Sequence, residues 1–334
     1  MKVTRDMVHT DLRPFYNRLR GFETVIKYRW LTKVANRLLN RAVAGKNRDT
    51  LNCDEVYIPS SDGRWQIRVR VYKPLQQDGP LPLLIYFHGG GYVLGTPEMS
   101  ADVLERFINT RPCVVVAPDY RKAYTEPFPA GFNDCYETLL WATNNAEQLG
   151  ALPDRVMVAG HSAGGGLTAA VTLKARDSGA VDIAFQMPIY PMIDDQQPTD
   201  ASREMQVPVW SSLTNKVGWG AYLAELHKGG ADIPAYAAPA RNRDYQDFPP
   251  TITFVGTLEP FYWETQAYVK ALGEAGIPVR YKEFEQCFHA FDAIAGGTAI
   301  GRQAQAFTYD SFAEFYDRYV DAVSYTHLTL PTKA

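Results

Sequence analysis

The chain has 334 residues, 46% hydrophobic and 21% charged, with a formal net charge of −3. That length suffices for one large α/β domain with insertions, and the composition is that of an ordinary globular protein. The small net charge excludes a general affinity for nucleic acid, and no apolar run reaches the roughly 20 residues of a membrane-spanning helix, which excludes stable membrane insertion.

At the N-terminus, Met1 to Asp6 has no apolar signal core behind it. Residues 1–50 hold twelve Lys/Arg against four Asp/Glu. Within residues 12–44, Phe15, Leu19, Phe22, Ile26, Trp30, Val34 and Leu38 recur at helical spacing among basic residues. This predicts one or two amphipathic helices whose apolar stripe covers a larger body, although a membrane-surface helix has the same signature. Residues 45–52 read as a polar linker. Glu55–Pro59 and Gln66–Tyr72 alternate as a hairpin around Ser60-Ser61-Asp62-Gly63. Leu83–Phe87 is a continuous apolar run, the mark of a strand buried on both faces, and leads into His88-Gly89-Gly90-Gly91-Tyr92.

A helix at 99–109, a strand at Cys113–Ala117 and a helix at Asn133–Ala146 follow. Val156–Ala159 reads as a short buried strand, and Gly165–Val171 as the opening of a helix, with Ile183–Met187 the next strand. Residues 194–240 break this rhythm as a polar, Trp- and Tyr-rich insertion with short helices from Trp210 to Leu226. Alternation resumes with Thr251–Val255, a helix at Glu264–Glu274, a strand at Val279–Phe284 and a helix at Gln303–Val320. Strands alternating with helices predict a mostly parallel twisted sheet covered on both faces. Cys53, Cys113, Cys135 and Cys287 show no paired spacing, which suits reduced thiols in a cytoplasmic protein and no zinc site. Val323–Thr332 resembles a translated sequencing adapter read through in frame, so residues 323–334, His327 included, are expected to carry no function.

The chemistry centres on Gly160-His161-Ser162-Ala163-Gly164 between a strand and a helix. A serine between spaced glycines on such a turn is the nucleophile elbow of α/β-hydrolases. The flanking glycines remove side chains that would collide where the turn forces the serine into an unfavourable backbone region. An oxyanion formed there needs convergent N–H donors. Gly89 and Gly90 would supply two from the glycine loop and Ala163 a third from the elbow helix. A phosphate loop would need a following Gly-Lys-Ser/Thr, which is missing. For the base, His9 lies in the basic N-terminal segment and His227 ends a helix of the insertion. His88 and His161 sit inside the glycine motifs, where they are expected to stabilise turns. His289 alone occupies a loop after the last strand, downstream of the serine. The acid should leave the strand ending at Val255-Gly256, where Glu259 stands; Glu264, Asp292, Asp194 and Asp195 are its rivals.

With these residues in place the chain resembles the hormone-sensitive-lipase-like carboxylesterases. His88-Gly89-Gly90-Gly91-Tyr92, Asp119-Tyr120-Arg121, Phe128-Pro129-Ala130, Ser162-Ala163-Gly164-Gly165, Tyr236 to Arg241 and His289-Ala290-Phe291 fall in the family's order over roughly residues 50–322. The resemblance implies an α/β-hydrolase core at 51–322, with a helical cap formed by residues 1–50 and an insertion at about 194–230. It also implies no cofactor and hydrolysis of small acyl esters. Catalysis would fall to Ser162, His289 and Glu259, with Gly89, Gly90 and Ala163 as the oxyanion hole. Tyr92, Trp210 and Trp219 are expected to touch a small-molecule ester of short acyl chain, acetyl to hexanoyl. An N-acyl amidase using the same residues and a non-catalytic receptor are the alternatives, and homo-oligomerisation stays open. The chain departs from the family at three positions. His161 stands where Asp usually precedes the nucleophile, Tyr124-Thr125-Glu126 where Ala-Pro-Glu is usual, and Glu259 where the acid is usually Asp.

Overall fold

The computed structural model describes residues 1–19 and 21–321. The adapter-like segment 323–334 lies outside the described residues. The strands are β1 (Leu51–Pro59), β2 (Gln66–Pro74), β3 (Leu81–Phe87), β4 (Val114–Pro118), β5 (Ala151–His161), β6 (Ile183–Ile189), β7 (Thr251–Gly256) and β8 (Val279–Phe284). They form one eight-stranded sheet in the order β1-β2-β4-β3-β5-β6-β7-β8. The hairpin β1–β2 and the β2–β4 pair are antiparallel, and every other pair is parallel. Within this order β4 and β7 are buried along their whole length. Such strands must be covered on both faces. Helices Ala130–Asn144 and Ala163–Ser178 pack together on the sheet, while Ala101–Thr110 and Ala299–Tyr316 form a second packed pair. The α/β-hydrolase fold expected from the sequence is the fold observed.

One helix approaches the sheet more closely than side chains normally permit. A Cβ on Gly164, in the first turn of helix Ala163–Ser178, would lie 2.0 Å from the Phe87 carbonyl oxygen at the end of β3. The glycine therefore seats the helix start between the ends of β3 and β5, directly behind Ser162.

The N-terminal segment breaks where a continuous stripe was expected. Its helices are Arg13–Leu19, Phe22–Lys27 and Arg29–Val43. Tyr28, with φ −108° and ψ 111°, ends one helix and starts the next. That extended residue resets the helical phase. Before it, Ile26 is fully buried; after it, Thr32 is buried and Leu39 packs on the core, while Trp30, Val34 and Leu38 are 65%, 44% and 60% exposed. The second half of the predicted covering stripe thus faces solvent. The segment is nevertheless laced to the insertion: Val3 N–H donates to the Gln206 carbonyl at 3.0 Å, and Gln206 N–H to the Met1 carbonyl at 2.9 Å. In the insertion, helices Ser212–Tyr222 and Ala224–Gly229 stand where short helices were expected.

Arg121 and Asp134, 5% and 0% exposed, form a buried ion pair. Asp134 accepts from the Arg121 backbone N–H and from Nη2, each at 2.8 Å. Removing Arg121 would strand the Asp134 carboxylate, whereas Arg121 itself also pairs with Asp62 at 3.0 Å and with Glu126. Arg121→Met should therefore lower the free energy of unfolding by about 3–5 kcal/mol, read as a shift in urea midpoint at constant slope.

Candidate active site

Ser162 sits at φ 60° and ψ −122°, a backbone region that L-residues avoid. Three backbone hydrogen bonds hold it there. Its N–H donates to the Ile189 carbonyl at 3.0 Å, and its own carbonyl accepts from Gly166 N–H at 2.9 Å and Met192 N–H at 3.1 Å. The turn lifts the side chain off the end of β5 into the mouth of a pocket. There Ser162 Oγ lies 2.9 Å from His289 Nε2. On the far side of the ring, Nδ1 meets Glu259 Oε2. The three residues are 7%, 3% and 0% exposed. Proton exchange along this line is therefore shielded from bulk water.

The longer arm of Glu259 is accommodated by the backbone. Its Oε1 accepts from Gly256 N–H at 2.8 Å, so the carboxylate folds back onto the end of β7 while the other oxygen faces the imidazole. The imidazole is fixed from its sides as well, by edge-on contact with Tyr190 and Phe261, each with ring centroids 4.9 Å away.

The rival carboxylates are occupied elsewhere. Glu264 accepts from the N–H groups of Ile193 at 2.7 Å and Asp194 at 3.2 Å, tying the β6 exit to helix Tyr262–Glu274. Burial holds its carboxyl well above the usual range. Asp292 accepts from Tyr190 Oη at 3.1 Å, and burial raises its carboxyl to about 6. Asp195 pairs with Arg241 Nε at 2.7 Å. Asp194 caps the Gln196 N–H at 3.0 Å.

The glycine loop runs beside the serine. A Cβ on Gly89 would lie 3.5 Å from Ser162 Cβ, and Gly90 adopts φ +128°, which only glycine tolerates easily. Among the described residues, the N–H groups of Gly89, Gly90 and Ala163 have no protein acceptor. Ala163 opens its helix, so its N–H is unused by the helix itself. His88 braces this loop as expected: its Nδ1–H donates to the Gly89 carbonyl at 2.7 Å, and the ring stacks on Tyr120 at 4.3 Å. His161 differs from expectation. Instead of holding its own turn, it reaches across to β3, with Nδ1 2.9 Å from Tyr86 Oη, and forms part of the pocket wall. Burial pushes both imidazoles down to about 3, so both are neutral.

The pocket has a volume of about 250 Å³ and an almost wholly apolar lining, with Ser162 and His289 in its wall. Phe22, Leu94, Val209 and Trp210 are among its apolar lining residues. Of the three aromatic residues expected on substrate, Trp210 lines the pocket but Tyr92 and Trp219 do not. Tyr92 has φ +64°. Its hydroxyl donates to the Met192 carbonyl at 2.8 Å, and its ring stacks on Tyr222 at 4.0 Å. Trp219 packs against the same two tyrosines. Sequence reasoning missed Tyr190, whose ring stands between His161 and His289. Its place directly after β6, the neighbour of the elbow strand, was the available signal.

The α/β-hydrolase-fold family matches residues 84–293. Carboxylesterase NlhH of Mycobacterium tuberculosis is 35% identical over 240 residues, 69% of this chain and 72% of that protein. The chain belongs to the hormone-sensitive-lipase-like carboxylesterases. It is a carboxylic ester hydrolase. Esterase LipI of the same organism is 30% identical over 243 residues, covering 71% of this chain and 75% of that protein. A solved structure titled bacterial heroin esterase superposes with a TM-score of 0.85 at 30% identity, covering 94% of this chain and 99% of the other. In this carboxylesterase the glycine loop, the elbow and the downstream histidine stand in the order that the sequence resemblance led one to expect, with Glu259 in place of the expected Asp. Among its described residues no cluster of His, Cys, Asp or Glu could hold a metal ion, and no helix is long and apolar enough to cross a membrane.

Proposed function

We propose that the protein hydrolyses short-chain acyl esters, acetyl to hexanoyl, of small alcohols through an acyl-enzyme. Ser162 attacks the ester carbonyl while His289 takes its proton, and Glu259 holds the imidazole and balances the imidazolium. The N–H groups of Gly89, Gly90 and Ala163 take the oxyanion. His289 then protonates the departing alcohol and activates the water that releases the acid. The observation that carries this reading is the continuous line from Glu259 through His289 to Ser162, opening into a small apolar pocket. The N-terminal helices and the 194–230 insertion act as its cap, since Phe22 comes from one and Trp210 from the other. The four free cysteines support a reducing, cytoplasmic location.

Chain-length preference follows from size. At about 250 Å³ the pocket falls below the roughly 300–1,000 Å³ typical of drug-sized ligands. In a p-nitrophenyl ester series, kcat/KM should peak between acetyl and hexanoyl, and Ser162→Ala should abolish turnover throughout. Higher kcat/KM for dodecanoyl than for butanoyl would overturn the size argument, and turnover of anilides alone would make the enzyme an amidase. Trp210→Ala should shift the preference toward octanoyl on the order of tenfold, because the large ring is removed from the pocket wall.

A further inference from the structure

Helix Arg29–Val43 carries two parallel rows. Arg29, Lys33, Arg37 and Arg41 recur every fourth residue, and Trp30, Val34 and Leu38 recur one position later. The helix contains no acidic residue. Like charges at that spacing oppose helix formation, so local helix stability does not explain the basic row. Arg29 is engaged, donating to the Tyr124 carbonyl at 3.0 Å. Lys33, Arg37 and Arg41 are exposed and have no ion-pair partner among the described residues. Beside them Trp30 and Leu38 are the two most exposed large apolar side chains described, Val34 is exposed too, and Tyr28 at the start of the helix is 46% exposed. The opposite face is fixed: Thr32 is fully buried and its hydroxyl donates to the Val25 carbonyl at 2.8 Å, while Asn36 Oδ1 accepts from Gly95 N–H at 2.9 Å. The rows therefore face outward because the other side of the helix is pinned to the body.

We infer that this outward face is a docking surface for an anionic lipid bilayer. A surface-lying helix has apolar side chains that enter the acyl boundary and flanking cations that meet the headgroups, and tryptophan favours that interface. Charge complementarity selects the lipid, because a basic face on a chain of net charge −3 offers a local site for anions rather than a global one. A nucleic acid would neutralise the arginines but leave the Val34 and Leu38 side chains in water. The surface is separate from the catalytic residues, and the inference does not rest on which ester is cleaved.

The test is co-sedimentation of the full chain with vesicles of phosphatidylcholine alone or mixed with phosphatidylglycerol, at low and high salt. Binding is expected only to the mixed vesicles and should weaken as salt screens the arginines. R37Q/R41Q should lower the partition coefficient about fivefold per charge removed. The triple variant W30S/V34S/L38S should lose most of the remaining binding. Both variants should keep wild-type turnover of a water-soluble acetyl ester, which also reports that they fold. Absence of binding to the mixed vesicles would overturn the inference. So would full binding by the triple variant, or binding to duplex DNA at the same salt that the triple variant leaves unchanged.

Discussion

Glu259→Gln should lower kcat about 10⁴-fold while the protein remains folded. The size of the loss follows from which end of the amide faces the histidine. Gly256 N–H donates to Oε1 at 2.8 Å, and an amide oxygen can take that place. The amide NH₂ would then point at His289 Nδ1, where Oε2 now lies. Two donors cannot share one contact, so Nδ1 would be deprotonated and Nε2 would carry the proton. Nε2 is the atom 2.9 Å from Ser162 Oγ, and once protonated it cannot accept the serine proton. Asp292→Asn and Glu264→Gln should each cost less than about tenfold. Asparagine still accepts from Tyr190 Oη, and burial already favours the neutral form of Glu264, which glutamine resembles. Steady-state kinetics of the three variants on one acetyl ester decide the matter. A large loss in Asp292→Asn with a small one in Glu259→Gln would show that the acid has moved.

The parts of this molecule that were legible in the sequence are those written in short local patterns. The continuous apolar run at Leu83–Phe87 and the β-branched and aromatic stretch Thr251–Val255 both read as strands, and both lie in the sheet. Ser162 follows β5 directly, Glu259 and His289 stand in the loops just after β7 and β8, and parallel strands leave the sheet at the same edge. Sequence order and strand ends therefore place them near one another. The pocket lining was less legible because it depends on the direction a side chain takes from an unusual backbone. Tyr92 adjoins the glycine loop, yet at φ +64° its hydroxyl is satisfied by the Met192 carbonyl and turned away from substrate. The outward row of Trp30, Val34 and Leu38 was hidden for a different reason. The apolar period runs unbroken through the sequence, whereas the helix breaks at Tyr28, and a single extended residue rotates everything after it. Periodicity alone does not reveal a break that leaves the spacing intact.

Ser162→Gly should remove essentially all turnover, on the order of 10⁶ in kcat, and yet make the protein more stable. The two effects have one origin. At φ 60° and ψ −122° the serine Cβ is crowded by its own backbone, a conformation that costs about 1–3 kcal/mol in non-glycine residues. The three hydrogen bonds to Ile189, Gly166 and Met192 hold the backbone in place, so the strain is not relieved by relaxation. Glycine occupies that region freely, but it also gives the unfolded chain more freedom, which offsets part of the gain. A net increase of about 1 kcal/mol is expected, visible as a rise of about 2 °C in Tm. Ser162→Ala serves as the control: it removes the same hydroxyl but keeps the Cβ, so it should lose the same activity without the gain in Tm. Equal melting temperatures for the two variants would mean that the elbow is unstrained. A higher Tm for glycine alone would show that the fold bears a stability cost for the geometry that presents its nucleophile.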